Sequence, residues 1–303
     1  GRVWPLGAVG PAAEADVLAA LELARELGVP VLLRGAGGSR AGQALGAGLV
    51  LDTSRHLNRI IGFDAAARSV EVQPGLTAER LNARLAAHGL WLPVDVETMG
   101  QATLGGLVAN DAAGPYAIVR GSLAGCVQAI DAVLADGTHE HFGPFGARAT
   151  RPMQSARTGA MVSRLFEIAG RERDEILRAW PRVAGRVGGF DLDAFCPLPE
   201  RRYTDDGSVN LAHLLLGSQG TLAHFRRLHL RLAPLPAQRV LAAWRLSSPR
   251  GIGAAVRAAA GLEPSALELL DAAMLEPLRS DPAWRALLDT LLEGAPQAVL
   301  IAE

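Results

Sequence analysis

The stretch RGAGGSRAGQALGAGLVLD, residues 34–52, constrains this chain more than any other. Its first fifteen positions hold six glycines, at 35, 37, 38, 42, 46 and 48, before an apolar segment that reads as a strand. Ordering that much glycine costs conformational entropy. It is kept where backbone approaches a neighbour closely or turns several N–H groups toward one anion. A phosphate or pyrophosphate is the usual anion, and a flexible surface loop is the plain alternative. VPVLLR (29–34) leads into the loop as one short strand and GLVLD (48–52) leaves it as another. Upstream, EADVLAALELAREL (14–27) places Val17, Leu18, Leu21, Ala24 and Leu27 at helical spacing, with Gly28 and Pro30 ending the helix. The first fifty residues therefore read β–α–β–loop–β.

Two common phosphate motifs fail here. A dinucleotide G-x-G-x-x-G from Gly35 needs glycine at position 40, where Arg40 stands, and a helix directly afterwards. A Walker A loop from Gly37 to Gly42 needs Lys-Ser/Thr next, where the chain has Gln43 and Ala44. What remains is R-G-x-G-G-S-x-x-G-Q between two strands.

Further along, SVEVQPG (69–75) alternates as a strand, and Thr77 is placed to cap a helix carrying Leu81 and Leu85 and closing at Gly89. CVQAIDAVLADGT (126–138) reads as an apolar strand ending in an Asp-Gly turn, with Cys126 a core residue. Residues 139–210 read as an insertion, with a helix around 161–180 whose Arg171 and Arg173 face solvent. In the segment 214–236, Leu228, Leu230 and Leu232 fall on one strand face and Arg227, His229 and Arg231 on the other. Pro234 and Pro236 mark a boundary. A strand, helices at 252–260, 264–279 and 282–293, and a final strand follow.

A formal net charge of −1 with no basic stripe argues against nucleic acid and anionic membrane surfaces as partners. Cys126 and Cys196 form no C-x-x-C pair, so the chain shows no zinc, Fe–S or disulfide ligand set. No apolar run reaches the ~20 residues of a membrane span. The opening GRVWPLGAV lacks the pattern of a signal peptide; it and the closing QAVLIAE both read as strands, so the expectation is a fragment. His139 and His141 in THEH share one side of a strand, a spacing a metal could use. An exposed hairpin end is the plainer reading, and no metal site is assigned.

Four segments in order carry a family resemblance: RGAGGSRAGQALGAGLVLDTSRHLNRI, PGLTAERLNARLAAHGLWLPVD, TMGQATLGGLVANDAAGPYAIVRGSLAGCVQAIDAVLADG and LLLGSQGTLAHFRRLHLRLAPLP. Together they resemble the flavin domain of the vanillyl-alcohol oxidase, or PCMH-type, flavoproteins. The likeness is strongest to the D-2-hydroxyacid dehydrogenases, the FAD-linked D-lactate, glycolate and D-2-hydroxyglutarate enzymes. LELLDAAML (267–275) resembles the start of that family's cap domain. The implied fold is α+β: a two-subdomain PCMH-type FAD-binding domain over 1–236, then a partial, truncated α+β cap over 237–303.

The resemblance implies that Arg34, Gly35, Ala36, Gly37, Gly38 and Ser39, with Gly42 and Gln43 behind them, wrap the FAD pyrophosphate. It implies a second wall along the flavin from the segment 93–99 (Pro93, Thr98 and Met99) and from Gly100, Thr103, Gly105, Gly106, Asn110 and Ala112. For Gly105 and Gly106 a tight helix–strand contact is the alternative. Gly220 and Thr221 match the part of the family's G-S-E-G-T turn that approaches the cofactor, and the loop at 185–195 resembles one near the flavin. Ala36 and Ser39 stand where the family usually has Gly and Thr, Gln219 replaces the usual Glu, and Asp111-Ala112-Ala113-Gly114 replaces the commoner Asn-Ala-Gly-Gly or Asn-Ser-Cys-Gly. Members with covalent flavin carry a His in the first loop; Gly38 and Ser39 stand there, so FAD is expected to be non-covalent.

The implied reaction is oxidation of a small D-2-hydroxyacid to a 2-oxoacid, with hydride transfer to flavin N5 and a base taking the hydroxyl proton. An Fe–S module or a quinone is the candidate electron acceptor, and the implied location is cytoplasmic or peripheral to the inner membrane. The alternatives are a sugar or alcohol oxidase of the same superfamily and a non-catalytic flavin-binding subunit. No catalytic residue is assigned. In relatives the base lies in the cap and in histidines after it, and no His follows His229 here. The expectation is a chain that holds FAD without turnover.

Overall fold

The computed structural model describes residues 3–146, 153–181, 188–196, 208–292, 294 and 296–303. Two compact units form. One runs to Ala113 and resumes over Ser122–Leu235; the other comprises Gly114–Gly121 and Pro236–Glu303.

In the first unit, β1 (Gly7–Val9), α1 (Glu14–Glu26), β2 (Val31–Arg34) and β3 (Leu49–Asp52) build a parallel sheet of order β1-β3-β2. The Asp16 carboxylate accepts the N–H groups of Ala12 and Ala13 at 2.8 and 2.9 Å, meeting donors left open at the start of α1. Val17 and Ala20 then bury against Leu51 and Leu57. Leu27, expected on this apolar face, lies past the helix end and is 66% exposed, because Gly28 at φ +65° has already turned the chain.

A hairpin follows, β4 (Ile60–Asp64) and β5 (Ser69–Val72), and then α2 (Ala78–Leu85). Thr77 caps α2 by accepting the Arg80 N–H, Leu81 and Leu85 are buried, and Gly89 at φ +66° ends the segment as its sequence implies. After β6 (Leu90–Trp91) come α3 (Leu104–Ala109), α4 (Ala117–Arg120), β7 (Val127–Leu134) and β8 (His139–Phe142). Cys126 sits in the turn before β7, half-buried against the core.

Strand β8 pairs with β7, so the sheet continues into the stretch expected to begin an insertion. The short strands β9 (Pro144–Phe145) and β10 (Val209–Asn210) then pair with each other. Between them, α5 (Ala156–Arg171) and α6 (Arg173–Ala179) replace the single expected helix, and both bury apolar residues in the main core. Arg171 and Arg173 are exposed.

Strand β11 (Ala223–Arg231) completes an antiparallel sheet of order β4-β5-β11-β7-β8, and β12 (Ala233–Pro234) pairs with β6. Leu228 and Leu230 are fully buried beneath it. The Glu14 carboxylate at the head of α1 reaches Arg226 and Arg227 of β11, fastening the parallel sheet's helix to the antiparallel sheet.

The second unit holds α4 and the antiparallel sheet β13-β15-β14, from β13 (Ala242–Leu246), β14 (Leu267–Asp271) and β15 (Ala298–Ala302). Its other helices are α7 (Ile252–Ala260), α8 (Ala272–Ser280) and α9 (Pro282–Leu291). The helix expected over 264–279 is corrected: its first part is β14. Pairing with β15 outweighs local helix propensity there, and Asp271 then caps α8 by accepting the Met274 N–H at 3.0 Å. Glu303 accepts from the Tyr116 hydroxyl at 3.0 Å and from Arg239 Nε at 2.8 Å, which ties α4's segment to the end of β15.

Replacing Leu228 by Ala is expected to lower unfolding stability by about 2–5 kcal/mol, the range for emptying a packed leucine site. Ile61→Ala, at a position 42% exposed, is expected to cost less than about 0.5 kcal/mol. Urea denaturation of both variants checks the contrast.

Candidate functional site

Strand β2 delivers Arg34 to the mouth of a cleft within the first unit, and the glycine loop forms one wall of it. Segments 96–110 and 219–225 close the other sides, around about 1140 Å³ of space with the open mouth included.

Of the residues expected at a cofactor, Arg34, Gly35, Ala36, Gly37, Gly38, Ser39 and Gln43 line this cleft. So do Thr98, Thr103, Gly105, Gly106, Asn110 and Gly220. The glycines divide by role. A Cβ on Gly35 would lie 2.0 Å from Thr103 Oγ1, so Gly35 lets the loop rest on the cap of α3. A Cβ on Gly105 would lie 2.7 Å from Pro74 Cβ, the tight packing contact weighed as its alternative reading. Gly37 has φ +73° and lies under the Arg34 guanidinium, whereas a Cβ on Gly38 would meet nothing within 4 Å. Asn110 Nδ2 donates to Ser39 Oγ at 3.1 Å, and Arg40 pairs with Glu97, so both walls are tied to the loop.

Other expected residues lie outside the lining. Gly42 at φ +85° turns the loop and accepts the Leu45 N–H. Met99 and Ala112 pack into the core, and Gly100 abuts Glu79. Thr221 donates to the Ser218 carbonyl at 2.6 Å, and Pro93 is half-buried elsewhere. Asp111, the departure from the family pattern, is buried and accepts from Ser122 Oγ and the Ala124 N–H, both at 2.9 Å. Of the 185–195 loop, 185–187 lie outside the described residues. Gly189 presses on the Gly217 backbone, which sets that loop against the G-S-Q-G turn.

The cleft suits a dinucleotide pyrophosphate. Among the described residues, no backbone N–H from 35 to 43 is given to a protein acceptor. Residues 35–39 and Gln43 line the cleft with Arg34, and no carboxylate does. A run of free amides with one guanidinium and no competing acid is a site for an anion. Gln43 Oε1 and His224 Nε2 are also buried without a hydrogen-bond partner, which a polar ligand can supply. Burial, with Arg226 nearby, pushes the His224 pKa down to about 4, so the ring stays neutral.

Sequence reasoning missed Thr53, Ala223, His224 and Phe225 in the lining. A signal for Thr53 existed: it follows β3 at the carboxyl edge of a parallel sheet, where ligands of α/β sheets gather. For His224 none did. The alternation around it looks like an ordinary strand, and only the fold shows its ring nitrogen enclosed.

Residues 5–143 match the model of a family described as FAD binding domain. The chain is 29% identical over 299 residues to the D-2-hydroxyglutarate dehydrogenase of Pantoea ananatis, covering 96% of this chain and 28% of that protein. It is 36% identical over 134 residues to the decaprenylphosphoryl-beta-D-ribose oxidase of Mycolicibacterium smegmatis, covering 44% and 29%. The chain spans only 25–29% of the length of the D-2-hydroxyglutarate dehydrogenases it matches. A solved structure of alkyldihydroxyacetonephosphate synthase shares the fold at TM-score 0.66 and 15% identity, covering 97% of this chain and 46% of that one.

Gly37→Asp is expected to weaken FAD binding at least tenfold, about 1.4 kcal/mol, because it strains a left-handed residue and pairs its charge with Arg34. Arg164→Asp on α5 is expected to leave affinity unchanged; flavin fluorescence titration compares the two.

An unfolded His takes a proton below about pH 6.5, while folded His224 resists until about 4. Its contribution is therefore lost as pH falls through that window. Between about pH 7 and 4 the FAD-free chain is expected to lose about 3 kcal/mol more stability than His224→Leu. Denaturant titration at each pH reads this difference.

Proposed function

We propose that the chain, whose residues 5–143 match the FAD binding domain model, holds FAD non-covalently for oxidation of a small D-2-hydroxyacid to its 2-oxoacid. The observation that carries the reading is the cleft: free loop amides beside Arg34, with no carboxylate in the lining. The long match to a D-2-hydroxyglutarate dehydrogenase supports the substrate class.

Bound FAD would supply a two-electron acceptor for the hydride lost by the substrate. The amides of residues 35 to 39 and the Arg34 guanidinium would bind and orient the pyrophosphate. Leu33, Val96, Ala102, Leu107 and Phe225 keep water from the apolar part of the cleft. Gln43 and His224 offer polar atoms to the ligand's polar groups. His224 is enclosed and weakly basic, so the acceptor of the alcohol proton is placed outside this lining. The electron acceptor is proposed to be an Fe–S module or a quinone and the location cytoplasmic or peripheral to the inner membrane. Among the described residues no helix is long and apolar enough to cross a membrane.

A second reading, a sugar or alcohol oxidase, is favoured by the match to the decaprenylphosphoryl-ribose oxidase. Gln219 in place of the family's Glu favours a third, flavin binding without catalysis.

The 303-residue chain is expected to bind FAD, release all its yellow colour on acid precipitation, and stay yellow with every hydroxyacid. In a protein that joins this chain to the cap domain of the relatives it resembles, anaerobic D-2-hydroxyglutarate, D-lactate, D-malate or glycolate is expected to bleach the flavin at an enzymatic rate, on the order of ~10 s⁻¹. The L-enantiomers are expected to leave it yellow. Bleaching by sugars alone establishes the second reading, and a yellow protein that nothing reduces establishes the third. A chain that ignores FAD overturns all three.

A further inference from the structure

Three side chains on the five-stranded sheet gather outside the cleft. Asp131 of β7 stands directly opposite His141 of β8, and His229 of β11 reaches it diagonally. Asp131 Oδ1 lies 2.6 Å from His141 Nδ1, and Oδ2 lies 3.0 Å from His229 Nε2. The imidazoles meet edge-on, with centroids 5.5 Å apart. His139, the other histidine of β8, turns instead to Arg226.

We propose that Asp131, His141 and His229 form a binding site for one divalent transition-metal ion of zinc character. Two imidazole nitrogens and a carboxylate are the donor set of three-ligand zinc sites that leave a fourth position to water. Donors around a tetrahedral ion with bonds of about 2.0–2.2 Å stand roughly 3.3–3.6 Å apart. Here the ligand atoms all lie within 4.8 Å of one another, so small rotamer adjustments seat the ion. The three side chains keep 16–27% of their surface exposed, enough for entry and for a water ligand.

The surrounding charges permit a cation. Arg227, opposite Asp131, is held by Glu14 and by Glu71, whose Oε1 lies 3.2 Å from Arg227 Nε. Glu71 itself stands opposite His229, adding negative charge on that side. Arg231 lies two residues further along β11 and is exposed. The three ligands come from three adjacent strands, so a bound ion clips β8, β7 and β11 together. None of them lines the cofactor cleft, which separates this site from the redox chemistry.

The test uses the untagged, FAD-loaded protein. Calorimetric titration with ZnCl₂ is expected to show one saturable site, and Co²⁺ at that site to give the visible bands of a four-coordinate ion, lost when Zn²⁺ is added. His141→Gln and His229→Gln are each expected to cut Zn²⁺ affinity at least tenfold, and His139→Gln to leave it unchanged. Thermal unfolding of the wild type is expected to shift upward with Zn²⁺, because the ion binds the folded state. The proposal is overturned if the wild-type protein takes up no Zn²⁺ saturably, if uptake survives both glutamine variants, or if Co²⁺ shows only the spectrum of the hydrated ion.

Discussion

The register of β11 is the constraint on which the rest of the first unit depends. The strand is paired along both edges, to β5 and to β7, so its residues cannot slide without breaking two ladders. A slip of one residue would exchange its faces and bury its charges. The sequence HFRRLHLR breaks strict alternation at Arg226-Arg227. A bulge between Phe225 and Arg227 absorbs the extra residue. Phe225, Leu228 and Leu230 thereby all reach the core, while both arginines remain free to meet Glu14. The same register sends His224 to the cleft and His229 to Asp131.

The Glu14 seam shows how charge is used where apolar packing stops. One carboxylate, about a fifth exposed, serves two guanidiniums, and Arg227 has Glu71 as a second partner. Two half-buried cations side by side on one strand repel each other, and removal of Glu14 would leave only Glu71, on Arg227, to offset that repulsion. The seam joins the helix of the parallel sheet to the strand that closes the cofactor cleft. The position of the glycine loop relative to Ala223–Phe225 thus depends on it.

The cleft is built by close approach more than by side-chain chemistry. Gly35 on Thr103 and Gly105 on Pro74 bring three backbone segments nearer than any Cβ allows. Gly189 and Gly217 do the same where the later loop meets the turn. What faces the cleft is a wall of loop backbone with the Arg34 guanidinium, and apolar side chains such as Leu33, Leu107 and Phe225. Such a set of donors suits an anion.

The sequence by itself determined the local pieces: α1, α2 with its Thr77 cap and Gly89 stop, the strands around the glycine loop, and the alternation of Leu228, Leu230 and Leu232. Periodicity and turn residues are properties of neighbours along the chain, so they can be read without a fold. The loop from Arg34 to Ser39 was legible for the same reason, as a glycine-rich turn between two strands. Tertiary structure decided the rest. It made 267–271 a strand through pairing with β15, separated Gly105, held against Pro74, from Gly38, which faces open space, and moved Met99 and Ala112 into the core. It also brought Asp131, His141 and His229 together from three strands, and enclosed His224 beside the cleft. These outcomes depend on distances between segments far apart in the chain, and no pattern of adjacent residues encodes such distances.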